Sequence, residues 1–270
     1  MKNSGLMEGE KQIDFTFDGE LRESKTIGLA PGESETVTFT VPNVPQGIHQ
    51  VQINDLSTVL HALYAGQPVL ELGFEEENPG AIADSSAYEQ EVSVGGNASV
   101  SEGKFGQALR LDGGWAKIPD SDLLNGGKQL SISLWVNLDD ADQDQKIIGK
   151  TSIGNGYVVG VEEGIYPEVW TETGRLSFNE GMIASREWTH LVLTWEQGEQ
   201  LIAYIDGEKV AESAAGNSPV ADNENDLIIG GAPWNPSSLQ MKGSVDEVKM
   251  YKDVLSTEEV EQLYQNNTIE

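Results

Sequence analysis

The chain has 270 residues, with 45 acidic against 16 basic side chains, a formal charge of −29 and no cysteine. A field this negative repels nucleic-acid phosphates and anionic membrane surfaces, which proteins bind through clustered lysine and arginine. Without cysteine there can be no disulfides, thiol nucleophiles or thiolate metal ligands. The apolar runs are too short to span a bilayer and the N-terminus lacks a signal-peptide pattern, so we expect any export signal to lie outside the sequence.

Residues 1–65 contain segments in which apolar and polar residues alternate, the pattern of strands with one buried face. Strands are predicted over residues 12–17, 21–29, 34–41 and 48–53. The first two are separated by Asp18-Gly19, a dipeptide that favours a tight hairpin turn. This region is therefore predicted to form a small antiparallel, immunoglobulin-like β-sandwich, and residues 64–68 are predicted to be a linker.

Residues 66–270 contain short strand patterns separated by Gly, Asn and Asp turns. Strands are predicted over residues 69–74, 107–118, 130–137, 145–150, 157–162, 166–170, 175–178, 188–196, 199–205, 208–213, 226–230 and 240–251. So many strands indicate two large sheets packed face to face, because a single open sheet would expose too much apolar surface. One helix is predicted over residues 257–265, with Ser256 as its N-cap.

Several strings of this second region, in their order and spacing, resemble the laminin G type 3 family of concanavalin A-like jelly rolls. They are 83–86 (ADSS), 102–113 (EGKFGQALRLDG), 130–136 (LSISLWV), 187–195 (EWTHLVLTW), 203–207 (AYIDG), 243–251 (GSVDEVKMY) and 255–260 (LSTEEV). The resemblance implies an all-β fold, a large two-sheet antiparallel jelly-roll sandwich. This fold hosts lectins, catalytic domains and spacers, so it does not by itself specify a ligand.

The N-terminal region is similar to cell-adhesion-related (CARDB) or fibronectin-like repeats, with residues 3–5 (NSG) and 29–34 (LAPGES) in typical places. Such repeats carry a strand or two before the first of these turns, whereas this sequence starts at that turn. We therefore expect a partial repeat from a longer modular protein. Its open sheet edge predicts self-association with another copy.

Hydrolases of the resembled family carry the string Glu-x-Asp-x-x-Glu on one strand, which provides the two carboxylates that cleave a glycosidic bond. No such string occurs in this sequence. The three histidines, His49, His61 and His190, have no metal-ligand or nucleophile partner at a recognisable spacing. We therefore expect no enzymatic activity and no catalytic residues, and we expect His190 to have a structural place beside the core.

The resemblance also implies a structural calcium ion that joins the first and last strands of the jelly roll. Calcium takes six to eight oxygen ligands. Carried over residue by residue, the candidate ligands are Glu75, Glu76, Asp84, the Gly113 carbonyl and Asp246. The alternative for Asp84 and Asp112 is that their side-chain oxygens cap turns.

Sugar binding in this fold uses exposed aromatic rings that stack on the pyranose, together with polar groups that bind its hydroxyls. Trp135, Trp188 and Trp195 lie in strong strand patterns and are predicted to be core residues. A ligand groove is predicted from Tyr166, Trp170, Glu172, Trp234 and Asn235. The alternative is that these aromatics are exposed without a function, as single surface aromatics often are.

The sequence thus predicts a non-catalytic carbohydrate-binding or adhesion module of a secreted or cell-surface protein, stabilised by calcium. Its partner is expected to be a glycan or a surface protein, with no nucleic acid bound and no membrane insertion. The alternative is a structural or protein-interaction spacer without a small ligand. The two hypotheses differ in whether Tyr166, Trp170 and Trp234 share one exposed face.

Overall fold

The computed structural model describes residues 1–63, 65–152 and 154–269. The chain divides into two compact units, Met1–Tyr64 and Ala65–Glu270. Both are built from antiparallel strands, and the described residues form one α-helix. The all-β prediction is therefore confirmed. No described helix has the length and apolar character needed to cross a bilayer.

The first unit is a four-stranded antiparallel sheet in the order β2-β1-β3-β4. Its strands are β1 (Gly9–Phe17), β2 (Glu20–Leu29), β3 (Gly47–Ile53) and β4 (Leu56–Ala62). The β1–β2 turn is Asp18-Gly19, where φ is 50° and 78°, the left-handed conformation that a tight hairpin needs. Ile13, Phe15 and Phe17 alternate along β1 and form the buried face.

The strand predicted over residues 34–41 does not form. One isolated bridge joins Lys2 to Ser34, and the rest of the segment has no described strand pairing. The segment still covers the sheet, because the Phe39 ring stacks on Phe15 with 5.0 Å between centroids. Its alternating pattern therefore reflects side chains that pack on the sheet, and its backbone is not paired as a strand. The described unit thus has one sheet, whereas a β-sandwich has two.

The second unit contains the remaining thirteen strands. They are β5 (Leu70–Leu72), β6 (Ser93–Glu102), β7 (Gln107–Ile118), β8 (Gln129–Leu138), β9 (Gln145–Ser152), β10 (Asn155–Val161), β11 (Ile165–Thr171), β12 (Gly174–Ser177), β13 (Thr189–Glu196), β14 (Gln200–Ile205), β15 (Glu208–Ala215), β16 (Leu227–Ile229) and β17 (Lys242–Tyr251). Their order is β12-β11-β10-β9-β16-β7-β17-β8-β13-β14-β15, with β5 paired to β17 and β6 paired to β7.

The sheet of the second unit folds over on itself, so that two layers enclose one apolar core. Ile132 and Leu191, from β8 and β13, line the same small internal gap as Val159 and Ile165, from β10 and β11. All four side chains are at most 3% exposed. This is the packing expected of two face-to-face β-layers, and it confirms the jelly-roll prediction.

Helix α1 (Thr257–Asn266) covers the outer face of the β13–β14–β17 layer. Ser256 Oγ accepts the Glu259 N–H, and the Glu259 carboxylate accepts the Ser256 N–H at 2.7 Å, which completes a capping box. Val260 and Leu263 of the helix are buried against Tyr251 and other apolar side chains. The helix thus shields a second, smaller apolar cluster from water.

Two elements were not predicted from the sequence. Strand β6 escapes detection because Gly95, Gly96 and Asn97 interrupt its pattern, although it pairs along the length of β7. Gly95 is needed there, since a Cβ atom would lie 2.3 Å from the Trp115 ring. The second element that was not predicted is strand β4.

Of the tryptophans predicted to be core, Trp135 and Trp195 are buried, whereas Trp188 is only half-buried.

In the first unit, a buried histidine closes the β1–β2 turn onto β3. The His49 Nδ1 lies 2.8 Å from Asp18 Oδ2, and its Nε2 lies 2.8 Å from the Pro45 carbonyl oxygen. Because a protonated ring donates to both acceptors, first the Asp18 hydrogen bond and then the Pro45 hydrogen bond raise the pKa of His49. The same His49 hydrogen bond lowers the pKa of Asp18.

This pair should make the stability of the first unit depend on pH. The raised pKa of His49 gives stabilisation that is complete below its unfolded pKa of about 6.5 and is lost as pH rises through the folded value. The lowered pKa of Asp18 gives stabilisation that is lost only in acid. We expect amide exchange in β1 and β3, corrected for intrinsic rates, to be better protected at pH 6 than at pH 8.

The control is Asp18→Asn, which removes the negative charge and keeps the side-chain size. An NMR titration should show a lower His49 pKa in this variant than in the wild type. An unchanged His49 titration would contradict the role given to Asp18.

Candidate functional site

One face of β11 carries three of the chemically interesting side chains of the second unit. Tyr166, Glu168 and Trp170 alternate with Ile165 and Val169, which point into the core. Tyr166 and Trp170 are half-buried, so part of each ring remains accessible, and Glu168 is largely buried between them. The strand therefore presents two aromatic rings and a carboxylate in a line on the outer side of the layer.

Polar contacts hold this line in place. Glu168 Oε1 accepts hydrogen bonds from the Tyr166 hydroxyl at 3.2 Å and from Arg175 at 2.7 Å. Arg175 lies on β12 directly opposite Trp170, and its side chain is 50% exposed. We call Tyr166, Glu168, Trp170 and Arg175 the β11 row. It combines ring faces with both a hydrogen-bond acceptor and a donor.

A lysine from β9 borders the β11 row. The Lys146 Nζ lies 5.1 Å from the centre of the Tyr166 ring and pairs with Asp144 at 3.1 Å. Gly160 lies between them, paired with both residues, and makes room for the lysine because a Cβ atom there would lie 2.6 Å from Lys146 Cδ. Burial, and then the negative charge of Glu168, raise the pKa of Tyr166. The Tyr166 hydroxyl therefore stays a neutral donor at physiological pH.

The other predicted groove residues lie apart from this line. Glu172 is exposed in the turn after β11, where its N–H donates to the Pro219 carbonyl at 3.1 Å. Trp234 is 43% exposed, and the Asn235 side chain accepts the Ser237 N–H at 3.2 Å within the same loop. Among the described contacts, none joins Trp234 to the β11 row.

The Trp234 loop is nevertheless hydrogen-bonded to β9, the strand that carries Lys146. Its Gly230 N–H donates to the Ile147 carbonyl, and its Leu239 carbonyl accepts the Lys146 N–H, each at close to 2.9 Å. The loop is thus fixed to β9 on the side where Lys146 approaches Tyr166. The structure brings Tyr166 and Trp170 onto one face and leaves Trp234 on a neighbouring loop.

The sequence prediction did not include Glu168 and Arg175. Glu168 has the same parity as Tyr166 and Trp170 along the strand, so alternation alone would have placed it between them. Arg175 could not be found in this way, because its position opposite Trp170 depends on the register of the β11–β12 hairpin.

The candidate calcium ligands are distributed over three places. Glu75 and Asp246 both reach the turn between β6 and β7. Asp246 Oδ2 accepts the N–H groups of Lys104 and Phe105 at 2.8 and 3.0 Å. Glu75 Oε1 accepts the Gln107 N–H at 3.2 Å. Two carboxylates distant in sequence, one three residues after β5 and one in the middle of β17, therefore meet at one turn. We call it the acidic turn (residues 103–107 with Glu75 and Asp246).

Amide groups, and no described lysine or arginine side chain, donate hydrogen bonds to the carboxylates of the acidic turn. Asp246 is fully buried, and burial raises its pKa to about 7, with the Phe105 and Lys104 amides opposing and Glu247 adding to the shift. Glu76, next to Glu75, has one oxygen bonded to the Ala83 N–H at 3.1 Å and the other buried without a described partner. Within the described residues, no set of three acidic or histidine side chains is close enough to hold a metal ion. A cation here would therefore also need backbone carbonyl ligands.

Asp84 and Gly113 do not join the acidic turn. Asp84 accepts four hydrogen bonds of 2.8 to 2.9 Å from the Glu71, Ser86 and Gln90 amides and the Ser86 hydroxyl. This is the geometry of the turn-capping alternative, and it leaves the carboxylate without an obvious free direction for a cation. The Gly113 carbonyl accepts the Gln240 side-chain amide at 2.9 Å. Gly113 is four residues along β7 from Leu109, the partner of Val245, which puts it about 13 Å along the strand.

His190 lies inside the second unit beneath α1. It is 1% exposed, its Nε2 is 2.8 Å from the Ser133 hydroxyl, and its ring packs 5.1 Å from that of Trp135. Burial, followed by the positive charges of Lys249 and Lys104, lowers the pKa of His190 to about 3. The ring is therefore neutral at physiological pH.

Residues 111–261 match the laminin G type 3 model of the concanavalin A-like lectin/glucanases superfamily. The chain belongs to this family. The match covers β8 to β17, the β11 row and Asp246, and the first half of α1. No curated protein matches the chain in sequence.

Solved structures share the fold of this laminin G type 3 chain at low identity. The binding domain of Paraclostridial Mosquitocidal Protein 1 has a TM-score of 0.62 and 18% identity, covering 74% of this chain and 52% of that one. Domain 4 of AbnA, a GH43 extracellular arabinanase from Geobacillus stearothermophilus in complex with arabinotriose, has a TM-score of 0.60 and 20% identity, covering 74% of this chain and 98% of that one. The binding domain of botulinum neurotoxin DC, in complex with rat synaptotagmin II, has a TM-score of 0.56 and 15% identity, covering 73% of this chain and 51% of that one.

This chain therefore spans about half the length of the toxin binding domains and nearly all of the arabinanase domain. At identities of 20% or less, the likeness concerns the fold alone.

The geometry of the β11 row predicts opposite shifts of the Tyr166 pKa in two variants. Glu168→Gln removes a negative charge that raises this pKa, so it should fall. Arg175→Met removes a positive charge that lowers it, so it should rise. The measurement is a ¹³C NMR titration of labelled tyrosine rings, with Tyr166→Phe assigning the signal. Equal shifts, or none, would show that these side chains do not share one face.

Proposed function

We propose that this chain is a non-catalytic carbohydrate-binding module of an extracellular protein, and that the β11 row contacts the glycan. The β11 row is the observation that carries this proposal. Its two half-buried aromatic rings can stack on sugar faces, and the half-exposed Arg175 can donate hydrogen bonds to sugar hydroxyls. Glu168 holds the Tyr166 hydroxyl and Arg175 in place for these contacts. The absence of the family's catalytic string from the sequence supports binding without hydrolysis.

The structural neighbours support a binding role for this fold. One of them holds arabinotriose and another holds a protein, synaptotagmin II. The arabinanase and the toxins are also the basis for proposing an extracellular location. Residues 65–270 carry 36 acidic against 12 basic side chains. This charge repels sulfated or carboxylated sugars, so we propose a neutral glycan as the ligand.

Binding can be tested with a glycan array and with arabinotriose, followed by calorimetry on any neutral sugar that binds. Trp170→Ala should weaken binding about tenfold or more, because one aromatic stacking contact contributes about 1.4 kcal/mol. Trp115→Ala removes a half-buried tryptophan outside the β11 row and serves as the matched control.

Equal loss of affinity in both variants would place the ligand elsewhere. A wild-type chain that binds no glycan would favour the alternative, a protein-interaction or spacer module, for which the synaptotagmin complex of the related fold is the support.

We further propose that the acidic turn holds a structural calcium ion. Glu75 and Asp246, with Glu76 beside them, would supply carboxylate oxygens, and the turn itself would supply carbonyls. The support is the burial of Asp246, whose described partners are amides, and the unpartnered oxygen of Glu76, since a buried carboxylate is costly without a counter-charge. The ion would supply positive charge between the segment after β5 and strand β17.

Calcium should raise the melting temperature measured by calorimetry, compared with the same protein in EDTA. A ligand that binds only the folded state at 100 times its dissociation constant adds about 2.7 kcal/mol. Asp246→Asn should remove this response. Asp84→Asn should lower the melting temperature with and without calcium but retain the difference, because its hydrogen bonds are those of a turn cap. Identical wild-type melting in calcium and EDTA would rule the ion out.

A further inference from the structure

One strand of the first unit has an unprotected edge. Among the described residues, the strands with an unpaired side are β2, β4, β5, β6, β12 and β15. Proteins protect such edges with charges, bulges or short length, because unpaired backbone groups attract other strands. Strands β2 and β15 carry charged residues and irregular register, β6 contains a bulge, and β5 and β12 have only three and four residues.

Strand β4 has none of these protections. Its seven residues (LSTVLHA) include no acidic, lysine, arginine or proline residue, and its pairing with β3 is regular throughout. Leu56, Val59 and Leu60 are 77%, 46% and 41% exposed. The strand therefore offers a flat, uncharged, apolar edge.

The exposed leucines continue the buried face of the first unit. Leu56 is paired with Ile53, and Ile53 is paired with Phe15, so these three side chains project from one side of the sheet. Leu60 lies on the same side, because it is four residues from Leu56. A strand added to the β4 edge would extend both the backbone ladder and this apolar face.

We propose that β4 pairs antiparallel with β4 of a second copy of this chain, across a twofold axis at Val59. Val59 is the middle residue of the strand, so this register gives the longest overlap. In it Val59 faces its own counterpart, Thr58 faces Leu60 of the other copy, and the side-chain parity is preserved. The two sheets become one eight-stranded sheet with a continuous apolar face.

Charge opposes the association of two copies least at this unit. The first unit has nine acidic and four basic residues, a net −5, whereas residues 65–270 have a net −24. Two copies therefore meet with the least repulsion through the first unit, and β4 contains no acidic, lysine or arginine residue. A strongly cationic partner strand would find no carboxylate on β4 to recognise it.

The size of the contact predicts a weak dimer. One seven-residue strand per copy, with two leucines, lies at or below the lower end of specific interfaces, about 1,000 Å². We expect a reversible, concentration-dependent dimer with micromolar affinity. Such a dimer presents two copies of the second unit and so raises avidity for a multivalent ligand, although the pairing itself does not depend on the β11 row.

Sedimentation velocity on the full chain, over a series of micromolar concentrations in physiological salt, tests the proposal. The wild type should shift from monomer to dimer as concentration rises. Val59→Lys places two positive charges directly opposite each other and should weaken the dimer at least tenfold. Thr26→Lys adds the same charge to the exposed face of β2 and should leave the dimer unchanged.

A mixture of Val59→Lys and Val59→Glu chains tests directly whether Val59 of one copy faces Val59 of the other. Each variant alone should be monomeric, whereas the mixture should form a heterodimer, because opposite charges then face each other at the axis. The His49 NMR signal reports that the first unit of each variant is folded. A wild type that stays monomeric, a Val59→Lys dimer of wild-type affinity, or a mixture that stays monomeric would overturn the proposal.

Discussion

The second unit depends on β17, a strand that is buried from Gly243 to Tyr251 and pairs with β5, β7 and β8. A strand buried on both faces is normally a continuous apolar run, yet this one contains Asp246, Glu247 and Lys249. Lys249 Nζ lies 3.3 Å from Glu71 and 3.6 Å from Glu247, and it donates to the carbonyl of Asn267, the C-cap residue of α1. Asp246 is held by amides of the acidic turn. Since buried charges are stable only when partnered, these contacts fix the first strand, the β6–β7 turn and the helix to one strand.

The fold could be predicted from the sequence only as far as the alternation of apolar and polar residues reports it. It locates strands whose two faces differ in polarity. It succeeded for β7, whose burial partly alternates, and for β8 and β13, whose polar side chains are also buried. It failed over residues 34–41, because a segment that packs on a sheet without pairing alternates in the same way. It also missed β4, in which exposed leucines and small polar residues give no clear buried face. Which backbone segments pair depends on the rest of the fold, so strand pairing cannot be predicted from the local sequence pattern alone.

The candidate sites were predictable to a different extent. Tyr166 and Trp170 could be assigned to one strand face from spacing alone, while Arg175 required the hairpin register and Trp234 required the path of its loop. Among the acidic residues, composition could not distinguish Asp84 from Asp246. Asp84 accepts hydrogen bonds from nearby residues, which satisfy its charge locally. Asp246 meets a turn more than a hundred residues away in sequence, so its burial and its amide partners there are visible only in the packed structure.

The two proposed sites lie on opposite outer faces of the second unit. Asp246 lies between two core residues, Val245 and Val248. Its carboxylate therefore projects from the outer face of the layer that α1 covers. The β11 row lies on the outer face of the other layer, beyond Ile165 and Val169. Two layers pack about 10 Å apart, and the proposed neutral glycan carries no net charge on which a distant cation could act. A cation at the acidic turn therefore has little direct electrostatic effect on a sugar at the β11 row. The ion can change binding only by changing the fraction of chains that are folded. At low temperature, where the chain is folded with or without the ion, glycan affinity should therefore not depend on calcium.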